Sequence, residues 1–229
     1  MTRDIAFIVG AGAGLSASLA RLLAKEGFNV ALAARTADKL AGLRKEIDAL
    51  ALACDATQAS EVDAAFAAVE KKWGVPDLVV YNASARARGP FAGLDPAEVE
   101  RTLAVSAFGG FLVGQAAAKR MLARGSGAIF FTGASASVKG YVNSAPFAMG
   151  KFALRGLAQS MARELAPRGI HVAHFVIDGA IRSAARAAAA GADAMLDPDE
   201  IAKSYLAVYR QHRSAWSWEL ELRPWVEKF

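Results

Sequence analysis

A glycine-rich turn directly after a short apolar run constrains the fold of this chain more than any other feature. Residues Ile5–Val9 are continuously apolar, and Gly10, Gly12 and Gly14 follow them. Leucines at residues 15, 19, 22 and 23 have the spacing of one helical face, so a helix is predicted after the turn. Glycines at such a turn let the backbone approach a pyrophosphate, whose charge the helix N-terminus stabilises. The segment therefore predicts a nucleotide-binding turn, with a purely structural tight turn as the alternative.

Strands and helices are predicted to alternate beyond this first unit. Apolar strands are predicted at residues 5–9, 29–34, 49–53, 77–81, 128–132, 170–177 and 216–222. Helices are predicted at residues 15–23, 39–47, 61–73, 97–124, 144–167 and 198–211. Strict alternation predicts a parallel sheet with helices on both faces. We therefore expect one α/β domain over residues 1–229, a doubly wound parallel sheet of the Rossmann type.

The charge and hydropathy patterns argue against nucleic-acid and membrane partners. The net charge is +5, but the basic residues are scattered and form no stripe with aromatic residues, so nucleic-acid binding is not expected. No uninterrupted apolar run reaches the roughly 18 residues of a membrane-spanning helix. The charge-free residues 5–20 are interrupted by glycines and preceded by Asp4, unlike the basic leader of an export signal.

The cysteine and histidine content bears on the compartment and on metal binding. Cys54 is the single cysteine, so an internal disulfide is excluded and a reducing compartment, the cytoplasm, is expected. Its place after strand 49–53 favours a small buried residue over a catalytic thiol. His171 and His174 fall on opposite faces of the strand at 170–177, so no metal pair is expected.

The end of the second predicted strand bears on the choice of nicotinamide cofactor. A carboxylate there would bind the ribose hydroxyls of NAD and repel a 2′-phosphate. This chain has Arg35 instead, whose guanidinium fork matches a phosphate. NADP(H) is therefore predicted, with a solvated Arg35 as the alternative.

Four motifs in this order resemble the short-chain dehydrogenase/reductase family over nearly the whole chain. They are the turn 10–16, the segment Cys54-Asp55-Ala56-Thr57, the segment Tyr81-Asn82-Ala83-Ser84 and the segment 177–181. The resemblance implies an oxidoreductase in which Asp55 meets the adenine, Asn82 and Ala83 lie beside the cofactor, and Ile181 lies near the nicotinamide amide. Together with the glycine turn it predicts the cofactor-binding residues Gly10, Gly12, Ala13, Gly14, Leu15, Arg35, Asp55, Ala56, Asn82, Ala83, Val105, Lys151, Gly179 and Ile181.

The catalytic positions that the resemblance implies depart from the family pattern. Its asparagine falls on Ser106, its serine on Ala134 beside Ser135, and its tyrosine on Phe147, while its lysine is kept as Lys151. Phe147 keeps the aromatic ring but has no proton to give to the alkoxide that hydride addition creates. Lys151 is the first candidate for a replacement donor. Tyr141, or the substrate or water, are the alternatives.

Two functional hypotheses follow from this departure, and a non-redox reaction on the same scaffold is a weaker third. The first is an NADP(H)-dependent oxidoreductase with an altered proton donor, acting on a small carbonyl or alcohol. The second is a catalytically silent NADP(H)-binding protein, a sensor or partner subunit. Residues 180–197 are predicted to form a lid over the substrate. Within residues 181–196 the only charged residues are Arg182, Arg186 and Asp193. The resemblance also implies a homodimer or homotetramer, formed by the long helices at 97–124 and 144–167.

Overall fold

The centre of the molecule is a parallel sheet of the predicted type. In the computed structural model, which describes residues 3–183 and 194–227, seven strands lie in the order β3-β2-β1-β4-β5-β6-β7, and every neighbouring pair is parallel. The strands are β1 (Ile5–Val9), β2 (Asn29–Ala34), β3 (Leu50–Ala53), β4 (Leu78–Tyr81), β5 (Gly127–Thr132), β6 (Ile170–Ile177) and β7 (Glu219–Leu222). The doubly wound α/β fold is confirmed. Chain order reverses between β1 and β4, and ligands in such sheets bind at the carboxyl ends of the strands at this point.

The helices cover both faces of the sheet. They are α1 (Leu15–Lys25), α2 (Ala41–Ile47), α3 (Ala59–Lys72), α4 (Pro96–Leu103), α5 (Gly109–Arg124), α6 (Ala145–Leu165) and α7 (Pro198–Tyr209). Strand residues alternate between two apolar layers, because successive side chains of a strand point to opposite faces. Ile8 packs with α1 and α7 on one face, whereas Phe7 packs with α3, and Phe131 with α5 and α6, on the other.

The predicted helix at 97–124 is wrong in one respect. Asp95 caps α4 through its carboxylate, which accepts from the main-chain N–H of Ala97, but regular α-geometry stops at Leu103. Residues Ala104–Phe108 form a π-helical turn before α5 begins. Such a turn accommodates one extra residue in a helix and is frequent at functional sites. The predicted last strand at 216–222 is also too long, because its ladder with β6 covers only Glu219–Leu222.

Part of the predicted lid can be placed. Ile181 pairs with Leu196 in a parallel bridge, and Arg182 forms an ion pair with Asp197, the N-cap of α7. Residues 184–193 of the predicted lid, Arg186 and Asp193 among them, lie outside the described residues. Within the described part of the chain, no helix is long and apolar enough to cross a membrane, and no group of three metal-ligating side chains is found.

Candidate active site

A groove of about 480 Å³ runs along the carboxyl ends of β1, β2 and β4. It contains most of the predicted cofactor-binding residues, which reach it from separate loops. Those in the groove are Gly10, Gly12, Ala13, Arg35, Asp55, Ala56, Asn82, Ala83 and Val105. Gly14 and Leu15 do not line it: Gly14 is the N-cap of α1, and Leu15 is buried in the core beneath the turn. Nine residues distant in sequence therefore meet in one elongated site.

The glycine turn is held against the end of β4. Gly10 has φ +85°, and a Cβ at this position would overlap the main chain of Ala83. A Cβ on Gly12 or Gly14 would meet nothing, so of these three glycines only Gly10 is required by the protein's own packing. The Asn82 amide donates to the Ser16 hydroxyl (2.7 Å), which donates to the carbonyl of Gly10 (3.2 Å).

The start of α1 suits a phosphate group. Among the described residues, no side chain caps its first turn and no acidic residue lies in that turn. The N–H groups at a helix start have no partner within the helix and carry partial positive charge, so they bind anions well. The glycine turn and the start of α1 thus fit the pyrophosphate of a dinucleotide.

The end of the groove that would receive the adenosine of a dinucleotide is lined by two cations. Arg35 and Lys39 both line it and both are exposed. Asp55, at the other side, accepts hydrogen bonds from the Thr57 amide (2.9 Å) and the Thr57 hydroxyl (2.8 Å), which fixes its carboxylate. Lys39 was not predicted from the sequence, although it lies only four residues after Arg35. These two cations fit an additional phosphate on the ribose better than a bare diol.

A second cleft, of about 690 Å³, adjoins this groove. Asn82 and Ser84 line both spaces, so a ligand extending from one reaches the other. The second cleft receives side chains from the loops after β4, β5 and β6 and from the start of α6. Its predicted site residues are Ser135, Phe147, Lys151, Gly179 and Ile181, and Tyr141 also borders it.

Lys151 is, together with Asp178, one of the buried titratable groups of this cleft. Its side chain is only 3% exposed, and its ammonium donates to the carbonyl of Thr132 at 2.7 Å. Burial, with a smaller contribution from the positive charge of Arg86, lowers the pKa of Lys151 to about 7. A lysine in this setting exchanges a proton near neutral pH, which is the requirement for a general acid or base.

Two cations lie near the ring of Phe147. It is 7% exposed, with the Arg86 guanidinium carbon 4.1 Å and the Lys151 Nζ 5.9 Å from its centroid. The face of an aromatic ring carries partial negative charge and attracts cations, so the ring stabilises both side chains where they are. Phe147 therefore shapes the cleft without supplying a proton.

Ser135 and Ser106 occupy different environments. Ser135 is half-buried and borders the cleft. Ser106 is fully buried in the π-helical turn, where its hydroxyl accepts from the Ala85 amide (3.3 Å) and lies 3.4 Å from the Ala85 carbonyl. Tyr81 donates to the Val105 carbonyl in the same turn. Ser106 thus anchors the segment after β4 that carries Arg86, and it does not itself line the cleft.

A buried polar chain supports the loop that carries Ser135. Arg155 of α6 donates two hydrogen bonds to the Glu219 carboxylate, at 2.6 and 2.8 Å. His174 Nδ1 donates to Glu219 at 3.0 Å, and its Nε2 accepts from the Ser137 hydroxyl at 3.3 Å. The Ser137 oxygen in turn accepts from the amide of Ala134. This series of hydrogen bonds links α6, β7 and β6 to the loop after β5.

The ionisation states of His174 and Glu219 in this hydrogen-bonded series follow from their surroundings. Burial lowers the pKa of His174 to about 4, although Glu219 acts in the opposite direction. Burial would raise the pKa of Glu219, but the hydrogen bonds and charge of Arg155, together with the smaller contributions of His174, outweigh that effect and the pKa is lowered. His174 is therefore neutral and Glu219 is ionised at neutral pH. As predicted, His171 points to the opposite face, where its ring stacks on Trp216 at 4.7 Å.

Arg86 and Arg88 are site residues that the sequence analysis missed. Both line the second cleft and both are exposed. The sequence did indicate this position, because both arginines follow the Asn82 segment at the end of a predicted strand. The carboxyl ends of parallel strands meet at one edge of a sheet, where the site forms.

Cys54 lies beside the groove as a buried thiol. It is 4% exposed, and burial, with smaller contributions from Glu61 and Asp55, raises its pKa to about 11. It therefore stays protonated at neutral pH, as expected for a structural cysteine rather than a nucleophile.

The chain is similar to known proteins over most of its length. Residues 4–192 match the family model described as short chain dehydrogenase. A curated relative, trans-4-hydroxycyclohexanecarboxylate dehydrogenase of Sinomonas cyclohexanicum, is 32% identical over 183 residues, which are 75% of this chain and 70% of the relative.

Two solved structures are similar over almost the whole chain. A short-chain dehydrogenase from Rhodopseudomonas palustris has a TM-score of 0.86 and 35% identity, covering 97% of this chain and 99% of the other. A metagenomic short-chain oxidoreductase in complex with NADP has a TM-score of 0.85 and 27% identity, covering 98% of both chains.

Proposed function

This chain belongs to the short-chain dehydrogenase family, whose members are NAD(P)-dependent oxidoreductases, and we propose that it uses NADP(H) to interconvert a small carbonyl compound and its alcohol. One observation carries the proposal. The dinucleotide groove and the cleft around Lys151 share Asn82 and Ser84, so a cofactor in the groove and a substrate in the cleft would meet there. The bound cofactor would supply or accept the hydride.

The charges at the adenosine end support NADP(H) over NAD(H). Arg35 and Lys39 lie where a 2′-phosphate would extend, and no carboxylate ends β2. The structurally similar metagenomic short-chain oxidoreductase is in complex with NADP, which supports this choice. The positive charge of these two side chains would attract a 2′-phosphate, whereas a ribose without a phosphate offers no charge for them to bind.

We propose that Lys151 takes the role of proton donor. Phe147 stands where the family resemblance implies a tyrosine, so hydride addition to the substrate carbonyl leaves an alkoxide without a phenolic donor. The Lys151 ammonium gives a proton to that oxygen and becomes a neutral amine, which solvent then reprotonates. Alcohol oxidation is the reverse, with the neutral amine as base. Tyr141 and Ser135 border the same cleft and would orient the carbonyl.

The silent NADP(H)-binding protein is the second candidate. It is favoured by the bond of Lys151 to the Thr132 carbonyl, because this bond and the 3% exposure hold the amine away from open solvent. In this case the groove binds cofactor and the cleft carries no chemistry.

We also propose that the protein is a homodimer or homotetramer in the cytoplasm. Phe108 and Phe111 stack on each other at 6.0 Å on the surface, and Met149 and Phe152 of α6 are likewise exposed. Large exposed apolar patches mark interaction surfaces. Light scattering that finds only monomer would contradict this, and cell fractionation tests the compartment.

Restoring the hydroxyl tests the proposed activity. Phe147→Tyr adds a phenolic donor beside Lys151 and should raise the rate of NADPH-dependent carbonyl reduction by up to about 10²-fold, because Lys151 already supplies part of the general-acid effect. Phe91→Tyr makes the same change at an exposed position that lines neither the groove nor the second cleft, and it should leave the rate unaltered. Reduction that stays undetectable in both the wild type and Phe147→Tyr across a panel of aldehydes and ketones, with NADPH still bound, would favour the silent protein.

A further inference from the structure

We propose that His174 is a positioning residue, which fixes the loop after β5 so that the Thr132 carbonyl holds Lys151 and Ser135 borders the second cleft. The consequence for proton donation rests on the proposed function. The placement of Lys151 rests on the contacts of the loop alone, and it can be measured without turnover.

The His174 ring lies directly against the main chain that follows β5. The side chain is completely buried, and a Cβ on Gly133 would lie 2.3 Å from its Nε2 atom. Only a residue without a side chain lets the main chain pass this close to the ring. A change in the shape of the ring therefore moves the segment at Gly133.

One peptide group connects this packing to Lys151. Its N–H, that of Gly133, donates to the Phe175 carbonyl of β6 at 2.7 Å. Its C=O, that of Thr132, accepts from the Lys151 ammonium at 2.7 Å. Because a peptide group is planar, a rotation at its N–H end turns the carbonyl as well. The acceptor of Lys151 thus depends on how Gly133 packs on His174.

The polar atoms of the ring fix the next peptide group. Glu219 is ionised and accepts from Nδ1 of the neutral ring, so Nε2 is left to accept from the Ser137 hydroxyl. The Ser137 oxygen accepts from the amide of Ala134 at 3.1 Å. The following residue, Ser135, is thereby held at the border of the second cleft.

Ser137, His174 and Glu219 are linked in the same order as the serine, histidine and acid of a hydrolase triad, but they do not form a nucleophilic site. The Ser137 side chain is completely buried and does not line the cleft. A substrate carbonyl carbon has no access to its oxygen, which already accepts a main-chain hydrogen bond. The series therefore acts on the reaction through the loop.

His171 offers a matched comparison in the same strand. It is also buried, and its Nε2 makes a hydrogen bond of 2.8 Å with the Ser217 carbonyl. Its ring faces Phe130 and Trp216 on the opposite face of the sheet. A substitution at His171 removes a buried, hydrogen-bonded imidazole without touching the loop after β5.

Magnetic resonance of Lys151 tests the placement directly. The ammonium is titrated in the full chain with isotope-labelled lysine, and its signal is assigned by its loss in Lys151→Met. His174→Leu removes both hydrogen bonds of the ring and should lower the midpoint by about one pH unit, because a displaced carbonyl no longer favours the charged amine. His174→Gln keeps a donor and an acceptor and should stay near the wild type, as should His171→Leu. Arg86, which also affects this pKa, is unchanged in all of these variants.

Carbonyl reduction gives a second measurement, which depends on the proposed function. His174→Leu should lower kcat about tenfold, because a misplaced donor is less effective. NADPH binding, measured by calorimetry, should change little, since residues 133–137 do not line the dinucleotide groove. His174→Gln should restore kcat, and this rescue separates orientation of the loop from a general loss of stability.

An unchanged or raised midpoint in His174→Leu, or an equal shift in His171→Leu, overturns the positioning role. If His174→Leu does not fold, Ser137→Ala removes only the hydroxyl that holds the loop and should lower the midpoint in the same direction. An unchanged titration in Ser137→Ala then overturns the proposal. A lowered midpoint in a protein that reduces no carbonyl would support the positioning role and remove the proposed function.

Discussion

The buried His174 should make the stability of this protein pH-dependent in a predictable way. Its pKa is lowered from 6.5 to about 4 in the folded chain, because burial disfavours the imidazolium. The unfolded chain therefore binds more protons between these two pH values. The contribution of His174 to the free energy of unfolding is complete above about pH 6.5 and falls as the pH decreases toward about 4. Between about pH 7 and about pH 5 the loss from this residue amounts to about 2 kcal/mol in the free energy of unfolding.

The matched substitution is His174→Gln. Glutamine offers a neutral donor and acceptor but does not titrate, so the variant should lose about 2 kcal/mol less than the wild type over the same pH interval. Urea unfolding followed by tryptophan fluorescence, at a fixed protein concentration and without ligand, measures the difference. His212→Gln removes an exposed imidazole and should follow the wild type. Parallel pH curves for the wild type and His174→Gln would refute the assignment of a neutral, buried His174.

Two further predictions concern the cofactor and the proton. Arg35→Ala should weaken NADPH binding by about tenfold or more, measured by calorimetry, with little effect on NADH binding, because only NADPH presents a phosphate to the guanidinium. The control is Arg44→Ala, which removes an exposed arginine outside the groove. Equal losses of affinity for both cofactors would contradict the assignment. If Lys151, with a pKa of about 7, donates the proton, carbonyl reduction should fall about tenfold between about pH 6 and about pH 8, as the ammonium form is lost. A flat profile of NADPH oxidation over this interval would exclude Lys151 as the donor.

The sheet was predictable because its signal is local. Parallel strands buried on both faces are short apolar runs, and each is followed by a turn and an amphipathic helix. The π-helical turn at Ala104–Phe108 was not predictable in this way, since its sequence continues the apolar spacing of a helix. It is stabilised by Tyr81 and by Ser106, whose contacts lie far away in the chain.

The nucleotide half of the site was easier to predict than the catalytic half. The nucleotide half depends mainly on backbone geometry at the glycine turn and on one cation, so Gly10 and Arg35 can each be identified from a single loop. The environment of Phe147 in α6 depends on Arg86, which lies in the loop after β4, and no spacing rule joins the two residues. The role of Glu219 also required the structure, because alternation along the last strand does not reveal its ion pair with Arg155.

The chemical inertness of Cys54 has a practical consequence. Since the chain has no other cysteine and this thiol is both enclosed and protonated, maleimide reagents will leave the native protein unmodified. A cysteine introduced at Val142, which is 89% exposed next to Tyr141 at the cleft, would be the single labelling position. A fluorophore there would report ligand entry without prior removal of the native thiol.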